Sequence, residues 1–229
     1  MREFIRQPAL LLIFAVAFSG LSACTESPVS NAETPGNSKS KAAPGGDFPP
    51  LVEAAATAEM RHLDGSTSRV ADRKGSVVLV NMWATWCGPC RDEMPELITM
   101  QDEHRAAGFE VIGLNIDNEP EDLVRPFVDD LKLNYTIAWG TEDMIVALMK
   151  VSRSEAIPQS FLIDREGRLR GVFTGASRRS IALMKETVAK VVTGEPTDSV
   201  VQAGPGQPAN NTAGTESEPA NAASETNKR

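Results

Sequence analysis

Two cysteines lie two residues apart at the point where a strand-like pattern gives way to a helix-like one. They are Cys87 and Cys90, in a Cys-Gly-Pro-Cys segment. Before them, Ser76–Trp83 is a short apolar run rich in β-branched residues, which is typical of a strand buried on both faces. After them, apolar residues recur at helical spacing from Pro89 to Arg105. The pair is therefore predicted to lie at the N terminus of a helix that directly follows a buried strand.

Three kinds of chemistry use cysteines at this spacing. A structural zinc site needs two further Cys or His ligands at matching spacing. No second pair exists, and neither His62 nor His104 is placed to complete one, so we expect no metal site. A structural disulfide remains open as the simplest alternative. A redox pair is favoured, because the unpaired N–H groups and the dipole of a helix N terminus stabilise a thiolate.

Strand and helix patterns continue to alternate after the cysteine pair, which predicts an α/β fold with a mixed sheet between helices. Two apolar strand patterns precede a polar hairpin turn at residues 164–167, and two more flank it. The predicted strands are residues 76–83, 109–116, 160–163 and 169–173, and the predicted helices are residues 89–105, 119–131, 142–150 and 177–192. Residues 135–139 form a further short apolar stretch.

The composition excludes some classes of function. The chain has 229 residues, with 23 Lys and Arg against 31 Asp and Glu, so its formal net charge is −8. A nucleic-acid-binding domain needs a basic face, and we therefore expect no nucleic acid partner. Three cysteines are also too few for a small scaffold held together by disulfides.

The N terminus has the layout of a bacterial secretory signal, with a basic start followed by the apolar run Ala9–Phe18. The next residues, Leu21-Ser22-Ala23-Cys24, resemble the lipobox of bacterial lipoproteins. That resemblance implies that residues 1–23 are removed as a signal peptide and that Cys24 is lipidated. The protein would then be lipid-anchored to a membrane in the bacterial periplasm. An uncleaved anchor is the alternative, although the run is short for one.

Polar, low-complexity segments flank the central part of the chain. Residues 24–50 are rich in Pro, Gly, Ser and Ala and are predicted to be a disordered tether. Residues 194–229 have the same character and are predicted to be a disordered acidic tail. One domain is therefore expected at residues 51–193.

The segment Val80–Cys90 resembles the active-site segment of the thioredoxin superfamily, and most closely its TlpA/ResA branch of periplasmic thiol-disulfide reductases. Residues 156–164, with the sequence AIPQSFLID, are similar to the strand that carries the family's cis-proline. The resemblance implies a thioredoxin-like three-layer sandwich, in which helices flank a central mixed sheet.

The family's roles apply here position by position. The resemblance implies that Cys87, the more exposed cysteine, attacks a substrate disulfide and that the more buried Cys90 resolves the mixed disulfide. Pro158 would form a cis peptide opposite the pair and leave the backbone of Ile157 free to bind the substrate. The remaining substrate-binding positions would be Trp86, Gly88 and Pro89. The only redox group would be the Cys87–Cys90 disulfide, with no further cofactor.

Two polar residues near the cysteine pair, Asn81 and Glu93, bear on how Cys90 loses its proton. Asn81 replaces the buried aspartate that cytoplasmic thioredoxin has in the preceding strand, and an amide cannot take up the proton of Cys90. Glu93 matches an acidic residue of the ResA-like branch, and partial burial would raise its pKa. The alternative is that Asp92 and Glu93 only stabilise the dipole of a first helical turn.

The resemblance also suggests the direction of the reaction and the partners. DsbA-type oxidants carry Pro-His between their cysteines, whereas this chain carries Gly-Pro. We therefore expect a reductant, with a potential nearer about −270 mV than about −120 mV. Electrons would come from a DsbD/CcdA-type membrane donor. The substrates would be protein disulfides, such as those of apocytochrome c or of copper-site assembly proteins.

Two other functions of a similar fold are alternatives to the reductase. A Sco-like copper-binding assembly factor would use the same two cysteines with a distant histidine, for which only His62 and His104 are candidates. A peroxiredoxin would carry its cysteine in a Pro-x-x-x-Thr-x-x-Cys context, which the segment before Cys87 lacks.

Overall fold

The structure is a computed structural model, and it describes residues 48–204. The predicted signal peptide, the predicted lipidation site Cys24 and most of the predicted tether lie outside the described residues. The predicted tail lies outside them from residue 205 onwards.

Within the described residues, eight strands form one mixed sheet in the order β2-β1-β5-β4-β3-β6-β7-β8. Neighbours β3–β4, β4–β5 and β7–β8 are parallel, and the other pairs are antiparallel. The strands are β1 Met60–His62, β2 Thr67–Ser68, β3 Val77–Trp83, β4 Phe109–Asn115, β5 Thr136–Trp139, β6 Gln159–Ile163, β7 Leu169–Thr174 and β8 Val201–Ala203.

Helices cover both faces of this sheet. They are α1 Glu53–Ala56, α2 Gly88–His104, α3 Glu121–Leu131, α4 Glu142–Ser152 and α5 Arg178–Thr193. One apolar cluster packs α2, α3 and α5 against the sheet, and a second packs α1 and α4 against the opposite face. The predicted three-layer α/β sandwich is therefore confirmed. None of the helices described is long and apolar enough to cross a membrane.

Strand β3 shows why the sheet lies in the middle. All seven of its residues are buried, and they alternate between the two clusters. Val77 and Leu79 join the α2 side, whereas Val78 and Val80 join the α4 side. An apolar run with this alternation can only be buried between two layers.

The strand and helix patterns found in the sequence all correspond to elements of the structure, with ends that agree within two residues. No sequence pattern predicted α1, the β1–β2 hairpin or β8. These elements are short, and α1 has only four residues. Short elements of this kind form through tertiary pairing rather than through a periodic pattern of their own.

Both predicted boundaries of the domain need correction. At the start, Phe48 is buried, and Pro50 forms a β-bridge with Arg168, so the end of the predicted tether belongs to the fold. At the other end, β8 pairs with β7, so the predicted tail begins with an ordered segment rather than a disordered one. Backbone hydrogen bonds between Pro49 and β7 and between β8 and β7 attach both segments to the domain.

The topology brings the ends of several strands together at one end of the sheet. The parallel strands β3, β4 and β5 all end there, and the antiparallel strand β6 begins there. Helix α2 also starts at this edge, directly after β3. We call this line of strand ends the cysteine edge, because Cys87 and Cys90 lie there.

Candidate functional site

The cysteine pair lies where the sequence predicted it, between the end of β3 and the start of α2. Cys87 is the N-cap residue of α2, and its Sγ atom is bonded to Sγ of Cys90 in a disulfide. The backbone N–H of Cys90 donates a hydrogen bond to Cys87 Sγ over 3.2 Å. Such donation, together with the helix dipole, stabilises negative charge on Cys87 when the pair is reduced.

The expected contrast in exposure between the two cysteines is small. Cys87 is 3% exposed and Cys90 is 1% exposed. A substrate must therefore reach Cys87 by close contact with the residues around it. Gly88 and Pro89, which were predicted to contact substrate, form the first turn of α2 between the two cysteines.

Trp86 is the most exposed large apolar residue of the described chain, with 65% of its surface accessible. Its indole Nε1 donates a hydrogen bond to Asp117 Oδ2 over 2.6 Å. The bond fixes an aromatic face next to Cys87 while leaving it open to solvent. That is a suitable contact surface for an incoming polypeptide.

The loop between β4 and α3 holds the segment before the disulfide. The carboxylate of Glu119 accepts hydrogen bonds from the hydroxyl of Thr85 and from the side-chain amide of Asn115. Asn115 in turn accepts a hydrogen bond from the backbone N–H of Asp117 over 2.8 Å. The partner of the Trp86 indole is therefore itself fixed by the end of β4.

The proline predicted to face the pair has the cis peptide that the family resemblance implied, between Ile157 and Pro158. Ile157 packs against the apolar cluster that contains both cysteines. Within residues 48–204, the backbone N–H and C=O of Ile157 form no hydrogen bond. They are therefore available to pair with an extended chain, as an edge strand would be.

Gln159 holds the segment that leads into this proline. Its side chain is fully buried, and Nε2 donates to the carbonyl oxygens of Ser154 over 2.9 Å and of Ala156 over 2.6 Å. Because both partners are carbonyls, only the amide nitrogen can face them, which fixes the orientation of the Gln159 amide. The segment before Ile157 is thus attached to the first residue of β6.

Glu93 lies on α2, beyond its first turn, and is only 3% exposed. The explanation that it serves a first-turn dipole is therefore wrong. Asn81 Nδ2 donates hydrogen bonds to Glu93 Oε1 and, over 3.0 Å, to Ser160 Oγ. Burial raises the pKa of Glu93 from its ordinary value of 4.5 to about 7, although the bond from Asn81 lowers it in part.

Tyr135, just before β5, faces the same buried carboxyl. The pKa of the Tyr135 hydroxyl is raised above its ordinary value, mainly by burial and secondly by the nearby charge of Glu93. The hydroxyl oxygen has no hydrogen-bond partner in the part of the chain that the structure describes. Glu93 thus lies in a region where charge is costly, with the amide of Asn81 as its polar contact.

Neither histidine lies with the cysteines. The ring of His62 bonds to Ser66 and Ser68 in the β1–β2 hairpin. His104 is at the far end of α2 from Cys90 and packs edge-on against Phe109. Among residues 48–204, no group of three Cys, His, Asp or Glu side chains is placed to hold a metal ion.

Several side chains that support the site were not predicted from the sequence, among them Asp117, Tyr135, Gln159 and Ser160. A buried polar residue inside an apolar strand is the signal that could have found one of them. Asn81 lies opposite Ser160 in the register of β3 and β6, and it was identified without this partner. Asp117 and Tyr135 lie in connections before α3 and β5, and Gln159 at the start of β6 bonds to such a connection, so only the tertiary fold determines their roles.

Comparison with known proteins agrees with this geometry. Residues 51–172 match the AhpC/TSA family. The thiol-disulfide oxidoreductase ResA of Geobacillus thermodenitrificans is 31% identical over 113 residues, which cover 49% of this chain and 63% of that protein. The ResA of Bacillus cereus is 35% identical over 107 residues, or 47% of this chain and 60% of that protein. The matches thus span less than two thirds of these relatives.

Two solved structures from Chlorobium tepidum share the fold. A thiol:disulfide interchange protein of the thioredoxin family has a TM-score of 0.54 and 28% identity, covering 64% of this chain and 98% of that chain. A protein described as thiol:disulfide interchange protein DsbE has a TM-score of 0.53 and 26% identity, covering 65% and 99%. With its fold, its cysteine pair and these relatives in agreement, the chain belongs to the AhpC/TSA family of thioredoxin-like proteins.

Proposed function

We propose that the protein is a thiol-disulfide reductase that reduces protein disulfides through Cys87 and Cys90. One observation carries this proposal. The disulfide lies at the N terminus of α2, beside an exposed Trp86 and a backbone at Ile157 that has no hydrogen-bond partner among the described residues. A site that combines a redox pair with an open strand position fits a polypeptide substrate better than a small molecule.

The reaction begins with the reduced pair. The Cys87 thiolate attacks one sulfur of the substrate disulfide, so that a mixed disulfide forms and the substrate's other sulfur leaves as a thiolate. Cys90 then loses its proton and attacks Cys87 Sγ, so that the second substrate sulfur also leaves as a thiolate. Two electrons pass to the substrate, and the Cys87–Cys90 disulfide remains. The two substrate thiolates take up one proton that Cys90 gave up and one from the solvent, which had received the proton of Cys87 when its thiolate formed.

Glu93 is the proposed acceptor of the Cys90 proton. It lies three residues beyond Cys90 on α2, so both side chains project from the same side of the helix. Its pKa of about 7 lets it take up and give back a proton near neutral pH. Asn81, which cannot titrate, orients the carboxyl through its hydrogen bond.

The setting of this reaction is proposed from the sequence. Export by the signal at residues 1–23 and lipidation at Cys24 would place the domain in the periplasm, anchored to a membrane. A DsbD/CcdA-type membrane protein would return electrons to the pair. Apocytochrome c and copper-site assembly proteins are the proposed substrates, and the ResA relatives, named as thiol-disulfide oxidoreductases, support the reaction class.

The reduction potential of the Cys87–Cys90 pair is the test. Equilibration of the purified protein against glutathione, followed by trapping of free thiols, should give a potential well below about −200 mV. A value near −120 mV would instead identify an oxidant and contradict the proposal. As a matched pair of variants, Cys90→Ser should accumulate a mixed disulfide with a substrate peptide, whereas Cys87→Ser should not.

A further inference from the structure

Helix α4 lies in the connection between β5 and β6, and it packs on the same face of the sheet as α1. Strand β5 ends at the cysteine edge and β6 begins there, with β4 and β3 between them in the sheet. The connection must therefore cross three strand spacings, or about 14 Å. With 11 residues, α4 is about 16 Å long, which is enough to cross this distance.

A groove lies along the C-terminal half of α4 and the residues that follow it, towards Ile157. It has a volume of about 450 Å³ and is lined by Val146, Met149, Lys150, Arg153, Ser154 and Glu155. Its last lining residue is two positions before Ile157, whose backbone is free to bind an extended chain. The groove therefore continues the surface on which a substrate would lie.

The wall of this groove is fixed relative to Ile157. Ser152 Oγ donates to Met149 O over 3.0 Å, and the backbone N–H of Ser154 donates to Ser152 Oγ over 3.3 Å. Gln159 holds the carbonyl oxygens of Ser154 and Ala156 from the other side. A segment bound in the groove would thus keep a constant position relative to Ile157.

The groove combines apolar surface with positive charge. Val146 is an exposed apolar side chain on its floor, and Met149 lies beside it. Lys150 and Arg153 are both exposed and form no salt bridge with any residue between 48 and 204. Glu155 is the single acidic residue of the lining. A segment with carboxylate and aliphatic side chains complements this surface.

We infer that the α4 groove docks the part of a substrate polypeptide that flanks its disulfide, and that it favours acidic and aliphatic residues there. The inference rests on the proposed reductase function, because the groove adjoins the site of disulfide exchange. Lys150 and Arg153 would then determine the preference of the site for acidic residues beside the substrate disulfide.

The test uses three peptides with the same disulfide, flanked on both sides by Asp-Leu, Asn-Leu or Lys-Leu. The wild-type protein should reduce the Asp-Leu peptide with a kcat/KM roughly three- to tenfold above that of the Lys-Leu peptide. The difference should shrink as ionic strength rises. In Lys150→Glu/Arg153→Glu the preference should disappear or reverse.

Lys74→Glu/Lys132→Glu is the matched control. It makes the same change in net charge near the opposite edge of the sheet, where β3 begins and α3 ends. Lys132 also has a left-handed backbone, with φ 53° against 56° for Arg153, so the two double variants carry similar local constraints. This control should keep the preference for the Asp-Leu peptide.

Binding of the same peptides with S-methylated cysteines gives a readout that needs no turnover. Equal affinity of the wild-type protein for all three peptides would overturn the inference that the groove docks the substrate. Loss of the preference in the control variant as well would also overturn it. Preferential binding without reduction of any disulfide would instead contradict the reductase function while supporting the groove.

Discussion

The buried carboxyl of Glu93 is the residue with the most unusual surroundings in the site. Most buried acids in proteins are paired with a cation, whereas the polar partner of Glu93 is the neutral amide of Asn81. An amide donor compensates only part of the cost of removing a carboxylate from water. The protonated form is therefore favoured inside the fold.

This imbalance predicts a dependence of stability on pH. Between its unfolded pKa near 4.5 and its folded pKa of about 7, Glu93 keeps its proton in the folded state and loses it in the unfolded state. The free energy of unfolding should therefore fall as pH rises through this range, by up to about 3 kcal/mol. Urea denaturation of the oxidised Glu93→Gln variant should lack this loss, and the variant should exceed wild type in stability at pH 8.

Asp92→Asn is the control, because Asp92 is exposed and adjacent on the same helix. It should keep the wild-type pH dependence. Titration of the thiols in reduced Glu93→Gln separates proton transfer from stability alone. An unchanged titration curve would show that Glu93 takes no part in the ionisation of the cysteines.

At this scale, the sequence identified the reacting residues but not their environments. The spacing of Cys87 and Cys90 and the asparagine in a buried strand were visible directly. Glu93 is five positions past Gly88, the first residue of α2, and therefore lies in the second turn of the helix. The sequence pattern does not show that this face of the helix meets the sheet. Burial of a side chain in the first turns of a helix depends on the angle at which the helix packs.

Among the elements, the segment between α4 and β6 decides how substrate would meet the cysteines. The buried side chain of Gln159 donates hydrogen bonds to two backbone carbonyl oxygens of this segment, those of Ser154 and Ala156. Without them, the backbone of Ser154 and Ala156 would be free to move relative to β6. The free N–H and C=O of Ile157 would then lose their fixed position.

Gln159→Met keeps the side-chain volume and removes both hydrogen bonds. We expect KM for a protein disulfide to rise by about tenfold, because a displaced backbone pairs poorly with substrate. The rate at which dithiothreitol reduces the Cys87–Cys90 disulfide should stay unchanged. Steady-state kinetics with a disulfide peptide, beside this direct reduction assay, separate the two effects.

Gln101→Met is the matched control for this variant. Gln101 is also buried, and it bonds to Phe109 and Val111 at the other end of α2. Both variants should lose similar stability, about 1–3 kcal/mol. If Gln101→Met raised KM equally, the effect of Gln159→Met would come from general destabilisation rather than from the segment before Ile157.

The elements that the sequence predicted well are those with a long pattern. Strands β3 and β4 are buried on both faces, and their apolar runs are unambiguous. Strand β8 has three residues, with only its last one buried, so no period exists to detect. It forms because β7 offers an unpaired edge.

For the whole molecule, Arg170 joins the two ends of the described chain. Its guanidinium lies over the ring of Phe48 at 4.0 Å and pairs with Asp164 at 3.1 Å. It also donates to the hydroxyl of Thr197 over 2.6 Å. A buried cation with these partners makes residues before and after the predicted domain part of one core.

A chain ending at Thr193, the boundary predicted from composition, should therefore be less stable than one ending at Gly204. The shorter chain loses β8 and leaves one nitrogen of Arg170 without its partner. A charged group buried without a hydrogen bond costs about 1.5–3 kcal/mol. Urea midpoints of the two chains measure the difference, and equal midpoints would show that residues 194–204 add nothing to the fold.

Composition could not locate these boundaries because it averages over a segment. Residues 195–203 are mostly polar or small, and Phe48 is a single large apolar residue at the end of a polar segment, so only a few contacts make these residues part of the domain. The position of Arg170 at the start of β7 determines those contacts, and this is a property of the assembled sheet.

The position of Phe48 has a mechanical consequence. The chain enters the domain beside the start of β7, which lies at the edge opposite the cysteines. A pull on the chain ahead of Phe48 therefore acts on the far end of the sheet. A domain held on a surface through this segment would turn its disulfide away from that surface, because the point of attachment and the disulfide lie at opposite ends of the sheet.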